Sequence, residues 1–497
     1  MRFPLLEPRE LVRVEERARS TIAQSLMLRA GRATAEVARR MAQDSGAAIL
    51  VVSGPGNNGG DGWCAAAALR ETFHRVVVFD VKGTEPKAQE AREAKADFMQ
   101  RGGETVREWP RGLRPALVID GLLGIGLARD VDADLAEVIA HVNEAACPVL
   151  AIDVPSGLDS ATGRVRGVAV VATRTLTFIA GKPGLHTLDG PDHCGLVECD
   201  ALGCEALVAQ VAQGALIEPQ DVAPWLPRRK RNTHKGTYGS VGIVGGNRGM
   251  VGAALLAGRA ALLAGAGKVR LGLLSSDAPA ADAAQPELML GTVDDALQMD
   301  VLVGGPGAGR SPSATSVSMF ERTVMPALVA SSKPLVLDAD GLNTLAFNGS
   351  LAHDVSLRKA PTILTPHPAE AGRLLERSTA DVQADRVSAA LDLARRFKAS
   401  VVVKGAGSVC AFRDGTWSVN ATGNPGLASA GNGDVLSGLV GALLAQGLEP
   451  ARALQYAVCL HGAAGDACVA RGVGPVGLTA LDVAHEARML INAWTGR

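Results

Sequence analysis

Val51-Val52-Ser53-Gly54-Pro55-Gly56-Asn57-Asn58-Gly59-Gly60-Asp61-Gly62 sets the reading of the first half of the chain. An apolar run ends in five glycines, two asparagines and an aspartate, and a helical stretch over 63–70 follows. A strand that passes through glycines into a helix is the turn of an α/β unit. Glycine lets backbone approach a ligand closely and adopt positive φ. The N-terminus of the following helix offers unpaired N–H groups to a phosphate. Ligands of open α/β sheets bind at the carboxyl ends of strands, so this turn is read as a ligand site rather than a plain glycine-rich bend.

Four further short apolar runs continue the pattern, at 76–80, 117–120, 149–153 and 175–179, together with 48–53 itself. Each is bounded by Gly, Pro or Asp and separated by stretches long enough for crossover helices. That predicts a parallel sheet covered on both faces. The opening segment, 10–40, predicts one or two helices interrupted near Gly31. The rhythm breaks between Glu218 and Tyr238, with Pro219, Pro224, Pro227 and the basic run Arg228-Arg229-Lys230-Arg231. This stretch is read as a domain junction, and the basic run as a solvated linker. The domains are then 1–217 and 218–497. Apolar runs resume at 241–245, 268–273, 301–304, 335–338, 362–365, 401–404 and 408–412, with helices over 253–264 and 380–398. The motifs of the halves differ, so the chain reads as a fusion of two α/β modules, not a repeat.

Composition excludes several classes. At roughly 150 residues per domain, 497 residues make about three domains or two large ones. A hydrophobic fraction of 47% and a mean hydropathy of +0.15 support a substantial core. Lys plus Arg number 50 against 51 for Asp plus Glu, so no basic field exists to hold nucleic acid or an anionic membrane. Aromatics are 3%, too few for base-stacking platforms. No apolar export segment opens the chain, and the uncharged run 435–448 is too short to span a bilayer. The eight cysteines are scattered, and Cys194, Cys199 and Cys204 lack the spacing of a zinc knuckle. The expectation is a cytoplasmic homo-oligomer acting on small molecules, with no nucleic-acid or membrane partner.

Two more strand ends carry polar groups. Leu117-Val118-Ile119-Asp120 leads into Gly121-Leu122-Leu123-Gly124-Ile125-Gly126-Leu127, and Leu150-Ala151-Ile152-Asp153 into Val154-Pro155-Ser156-Gly157. In a parallel sheet these ends share one edge with the Asn57-Asn58 turn. Each aspartate could instead cap the next helix. Asn, Asp and Ser oxygens suit a hard cation. These three segments, in this order and spacing, resemble the NAD(P)H-hydrate epimerase family over about residues 1–215. The resemblance implies a Rossmann-like domain that interconverts the R and S epimers of hydrated NADH and NADPH. It implies that Asn57, Asn58, Gly59, Gly60 and Asp61, with Gly124, Ile125, Gly126, Leu127, Ala128, Arg129 and Asp130, hold the nucleotide substrate. It also implies that Asn58, Asp120 and Ser156 bind K+ and that Asp153 meets the hydrated ring as the acid/base group. Leu28 stands where the family pattern has Glu.

In the second half, Gly423-Asn424-Pro425-Gly426-Leu427-Ala428-Ser429-Ala430-Gly431-Asn432-Gly433-Asp434 leads into an uncharged helical run, 435–446. Amides at such a helix start can neutralise a transferring phosphoryl group, and an aspartate there can take a hydroxyl proton. The plainer alternative is a capping Asp434 beside a small-residue helix. Lys404, after 401–403, is either a site residue or an ordinary snorkelling surface lysine. Asp338-Ala339-Asp340-Gly341-Leu342-Asn343 and Thr365-Pro366-His367-Pro368-Ala369-Glu370 follow two other strands. Together these elements resemble the ribokinase-like carbohydrate kinases, most closely the NAD(P)H-hydrate dehydratases, over about 222–497. Gly341 and Ala369 depart from the usual pattern. The resemblance implies that Ala253, Gly307 and His367 touch the hydrate, and that Lys404, Gly405, Ala406, Gly407, Ser408 and Gly433 hold the adenine nucleotide. Asp434 is then the base on the hydrate hydroxyl, with Mg2+ and ADP as co-reactants. Dehydration of the S epimer would convert ADP to AMP and phosphate. A sugar or vitamin-precursor kinase on the same fold, and an RNA-binding scaffold on the first, remain as alternatives. Formation of NADH and an RNA-binding test separate them.

Overall fold

The computed structural model describes residues 3–42, 46–72, 74–81, 85–127, 129–309 and 318–496. The chain divides into two compact units, Phe3–Ala215 and Leu216 onward.

The first unit is built on a parallel sheet in the order Glu104–Val106, Val76–Asp80, Ile49–Ser53, Leu117–Gly121, Val149–Ile152, Arg174–Phe178, Leu196–Asp200. The central strands are buried along their length and rich in Val, Ile and Leu, as a sheet covered on both faces requires. Strand order reverses between Ile49–Ser53 and Leu117–Gly121, which opens a crevice beyond their carboxyl ends. The register pairs Val52 with Asp120 and Asp120 with Ala151. The turn after Ile49–Ser53, Asp120 and the loop after Val149–Ile152 therefore share one edge.

Two local expectations are corrected. The opening helices are Pro8–Thr21 and Leu26–Ala42, and the break falls at Ile22, where the backbone is extended (φ −105°, ψ 119°), not at Gly31. Gly31 lies inside the second helix, where a Cβ would sit 2.2 Å from the Cβ of Cys64. It permits close contact with the helix Asn57–Glu71. That helix starts at Asn57 rather than at residue 63, so Gly59, Gly60 and Gly62 belong to its first turns. None of the five glycines of the turn has positive φ. Gly54 and Gly59 serve close approach of backbone to backbone. A Cβ on Gly54 would lie 1.8 Å from the Leu122 carbonyl oxygen, and one on Gly59 2.0 Å from the Gly54 carbonyl oxygen.

The sheet of the second unit runs Trp417–Asn420, Val409–Ala411, Ser400–Val403, Thr362–Leu364, Leu335–Leu337, Val301–Gly304, Ser240–Gly245, Lys268–Leu273, Met289–Gly291. From Ser400–Val403 onward the pairings are parallel, and the first two strands are antiparallel additions. The helix Asn432–Ala445 is uncharged after Asp434 because it is a core helix. Its Gly438 presses against the Ala257 carbonyl of the helix Val251–Leu263, where a Cβ would come within 2.1 Å. The single helix expected over 380–398 is two, Thr379–Ala384 and Arg386–Phe397. Asp385 breaks it (φ −153°, ψ 85°) and caps the second piece through Ser388 N–H at 2.9 Å. The basic run of the junction is not simply solvated. The Arg229 guanidinium lies 3.6 Å from the centre of the Tyr238 ring and donates to Gln446 at 2.8 Å. Among the described residues no helix is long and apolar enough to cross a membrane.

Gly54 and Gly56 give a direct test of the packing role of the turn. Nothing lies within 4 Å of a Cβ on Gly56, whose φ is −91°. Gly54→Ala forces two backbones apart and is expected to cost about 1–3 kcal/mol. Gly56→Ala is expected to change stability by less than about 0.5 kcal/mol or to raise it slightly. Thermal melts of the two variants against the parent check the contrast.

Candidate active sites

Asp120, at the end of Leu117–Gly121, is wholly buried. Its carboxylate accepts from Ser156 Oγ at 2.6 Å, Ser156 N–H at 2.8 Å and Leu122 N–H at 3.2 Å. The Leu123 N–H donates to Ser156 Oγ at 2.8 Å, and Asn58 Nδ2 donates to the Leu123 carbonyl at 2.7 Å. Asn58, Asp120 and Ser156 thus meet around one peptide, and Asp120 caps no helix. Burial raises its pKa against those three hydrogen bonds. Among the described residues no cationic side chain pairs with it. The donors around it are all oxygens apart from backbone and amide N–H groups, which suits an alkali cation as the missing compensation.

Asp153 follows Val149–Ile152 with φ 63°, the left-handed region that a non-glycine residue enters at a cost. Its N–H donates to the Leu176 carbonyl at 2.8 Å, and its carboxylate accepts from Thr177 Oγ1 and Phe178 N–H, each at 3.1 Å. The buried Lys182 completes the arrangement. Its ammonium contacts the Asp153 carboxylate and donates to Thr177 Oγ1 and the Phe178 carbonyl, both at 2.8 Å. Asp153 is therefore clamped by an ion pair and is not a helix cap.

A cavity of about 1220 Å³ opens beside these groups. Asn57, Asn58, Asp61, Gly124, Ile125, Gly126, Leu127, Arg129, Asp130 and Asp153 line it. Gly59 and Gly60 do not: the first packs on Gly54 and the second on the Met27 side chain. Ala128 lies outside the described residues. Lys182 and Glu15 are among the lining residues not singled out from sequence. Lys182 sits in Gly181-Lys182-Pro183-Gly184, directly after a strand, a lysine between glycines. Glu15 lies four residues after buried Leu11 and three before buried Ala18, a carboxylate on the apolar stripe of its helix. Burial, then the Asp153 charge, raises the pKa of Glu15.

In the second unit, Gly431 (φ 91°) is the N-cap of Asn432–Ala445, so Asp434 lies in the first turn and does not cap. Burial and the neighbouring Asp338 charge push the Asp434 carboxyl up to about 7. Lys404 is no surface lysine. Its Nζ donates to Asp338 at 2.9 Å and lies 4.0 Å from Glu370. Burial opposes its charge, but the Asp338 and Glu370 carboxylates outweigh burial and raise its pKa. Asp338 also accepts from Thr365 Oγ1 at 2.8 Å. Glu370 is pushed up to about 7, chiefly by burial. A Cβ on Gly433 would lie 3.2 Å from Lys404 Nζ, so this helix start faces the Lys404–Asp338 pair.

His367 does a structural job. Its Nδ1 accepts from Ala369 N–H at 3.1 Å, capping the helix Pro368–Leu375. Its Nε2 lies 3.3 Å from Glu370, and burial followed by the Lys404 charge lowers its pKa. Ala253 and Gly307 are brought together, since a Cβ on Gly307 would lie 2.9 Å from that of Ala253. Gly405, Ala406, Gly407 and Ser408 form one tight turn, in which Gly405 N–H donates to Ser408 Oγ at 3.2 Å. Behind it the buried Arg386 guanidinium donates to the Ala406 carbonyl.

Two α/β units, each with buried carboxylates and a lysine at the carboxyl edge of a parallel sheet, define a two-site enzyme. One unit is Rossmann-like and the other ribokinase-like. Family models match both halves: one described as YjeF-related protein N-terminus over residues 23–184, and one described as NAD(P)H-hydrate dehydratase over residues 241–486. The bifunctional NAD(P)H-hydrate repair enzyme of Escherichia coli is 36% identical over 94% of this chain and 89% of its own length. That of Coxiella burnetii is 38% identical over 89% of this chain and 90% of its own. The ADP/ATP-dependent NAD(P)H-hydrate dehydratase from Bacillus subtilis, co-crystallised with ATP and Mg2+, is 27% identical (TM-score 0.48) and covers 56% of this chain and 97% of that one. The chain belongs to the family of bifunctional NAD(P)H-hydrate repair enzymes, which join an epimerase to a dehydratase.

The Lys182–Asp153 pair should matter to stability as well as to the cavity. Lys182 is almost fully enclosed, so Lys182→Met leaves a largely buried carboxylate without its cation. The expected loss is about 3 kcal/mol. A urea titration of the variant checks it, and an unmoved midpoint would show that the pair is dispensable.

Proposed function

We propose that the first unit epimerises hydrated NADH and NADPH at the cavity beside Asp153. In the same reading the second unit dehydrates the S epimer, with ADP as phosphoryl donor. The hydrate carries a hydroxyl on the carbon next to the ring nitrogen. In the second unit Asp434 takes the proton of that hydroxyl, and its oxygen attacks the terminal phosphorus of ADP. AMP leaves as the new P–O bond forms. The amides of Gly431, Asn432 and Gly433 receive the developing charge, and Lys404 supplies a fixed positive charge at the same helix start. The C–O bond then breaks, with the ring nitrogen lone pair expelling phosphate. Loss of a proton from the adjacent carbon restores the reduced nicotinamide. The observation that carries this reading is Asp434, a carboxyl near 7 in the first turn of a glycine-capped helix. A general base works best with a pKa near the operating pH.

Two ions belong to the proposal. Asn58, Asp120, Ser156 and the Leu123 carbonyl would hold K+, which supplies the positive charge that buried Asp120 lacks. Among the described residues no group of three or more His, Cys, Asp or Glu side chains forms a metal site. Mg2+ would therefore accompany the nucleotide phosphates, whose charge it screens. Residues 1–217 and 218–497 are the proposed epimerase and dehydratase domains. A cytoplasmic homo-oligomer without nucleic-acid or membrane partners completes the reading.

Asp434→Asn is expected to lower nucleotide-dependent NADH recovery by 10²–10⁴-fold while epimerisation continues. The base must be unprotonated to act, so the parent rate should rise with pH through about 7 and level off above it. NADH absorbance in ADP-containing reactions, followed across pH, checks both. A phosphorylated product that accumulates without NADH would favour a kinase instead.

Replacing K+ by a bulky organic cation is expected to slow epimerisation and leave dehydration of the purified S epimer unchanged. Chromatographic separation of the epimers reads the first rate. Equal epimerisation rates in both salts would remove K+ from the proposal.

A further inference from the structure

We propose that Asp61 is the proton donor of the epimerase site and works with Asp153 as the proton acceptor. The inference rests on the epimerase reading above and gives that site its second proton carrier.

Inverting the hydroxyl-bearing carbon requires one of its bonds to open and close again. If the bond to the ring nitrogen opens, Asp153 takes the hydroxyl proton and the oxygen forms a C=O double bond. The electron pair of the broken C–N bond goes to nitrogen, which takes a proton from Asp61. Rotation about the neighbouring C–C bond presents the other face of the aldehyde. Closure reverses every transfer, returning one proton to Asp61 and one to the new hydroxyl. Atoms and electrons balance with no co-reactant. Such a site needs one group that holds a proton and one that does not.

The cavity supplies both. Asp61 lies one turn into Asn57–Glu71, the helix that follows the strand Ile49–Ser53. Asp153 follows Val149–Ile152, two strands away in the same sheet. At ordinary strand spacing the ends of those two strands lie roughly 10 Å apart. Both line the cavity. Their surroundings differ. The Asp153 carboxylate accepts from Lys182 Nζ, Thr177 Oγ1 and Phe178 N–H. Asp61 is held well above the usual carboxylate range, first by burial and then by three negative groups from three other elements: Asp153, Glu15 and Glu90. Lys182 opposes this without cancelling it. A carboxyl raised by burial among negative groups and a carboxylate that accepts three hydrogen bonds divide the acid and base roles. Asp61 thereby gains a task that its place in the glycine turn did not reveal.

The test uses the full chain and purified R epimer without nucleotide, with kcat/KM for epimerisation measured across pH. The parent rate should fall as pH rises through the ionisation of Asp61. Asp61→Asn should lower the rate 10²–10⁴-fold and abolish that limb. Dehydration of the S epimer by the same preparation reports on its quality. Glu15→Gln removes a negative neighbour, so it should move the limb to lower pH. This second variant keeps the test decisive even if Asp61→Asn fails to fold. An unmoved limb in Glu15→Gln, or an unchanged profile in Asp61→Asn, overturns the inference and leaves the epimerase reading standing. A parent protein that does not epimerise overturns both.

Discussion

A wholly buried carboxylate, Asp120, ties the crevice of the first unit together. Its three hydrogen bonds come from Leu122 and Ser156, on the loops after two adjacent strands. Ser156 in turn fixes the Leu123 peptide, and that peptide fixes Asn58 on the helix after a third strand. The three strand ends are therefore held by one carboxyl group placed where water cannot reach it. The glycine turn depends on the same geometry. Gly54 leaves no room for a side chain because the Leu122 backbone lies directly against it, and Gly59 none because Gly54 does. Removing the constraint at Asp120 would free the loop that forms one wall of the cavity.

The second unit solves a comparable problem with different groups. Asp338 is equally buried, but beside the Thr365 hydroxyl it holds a lysine from a strand end two places away in the sheet. The Lys404–Asp338 pair lies beside Gly433 at the start of a core helix. Positive charge and free amides thus coincide, which suits a phosphoryl group in flight. In the first unit the lysine, Lys182, contacts Asp153. One site concentrates positive charge for an anion, and the other sets carboxyls against each other for proton transfer.

Legibility in the sequence followed burial and locality. The strands Val76–Asp80 and Val301–Gly304 could be read to the residue, because each is an apolar run with abrupt ends. Glu104–Val106, Leu196–Asp200 and Met289–Gly291 could not, since they lie at sheet edges and carry exposed or polar residues. Trp417–Asn420 is buried but alternates with polar residues, one of which, Ser418, is satisfied by Gln455 at 2.9 Å. Aspartates at strand ends were visible because strand and residue are adjacent in sequence. Lys182 was not, because only the pairing of Val149–Ile152 with Arg174–Phe178 brings it to Asp153. The glycines drew attention as ligand-facing, and two of the five, Gly54 and Gly59, face other backbone.

The environments of the titrating carboxyls supply a reason for keeping two sites rather than one. Asp434 sits near 7, where it can lose a proton readily and accept one in the same turnover. It achieves this in the company of Lys404, whose positive charge a phosphoryl donor requires. Burial raises the pKa of Asp61, and so do its neighbours Asp153, Glu15 and Glu90, whereas a fixed ammonium in their place would lower it. Lys404 is such an ammonium, and it stands at the Asp434 helix start. Placing the two chemistries in separate compact units lets each keep its own field while one chain supplies both.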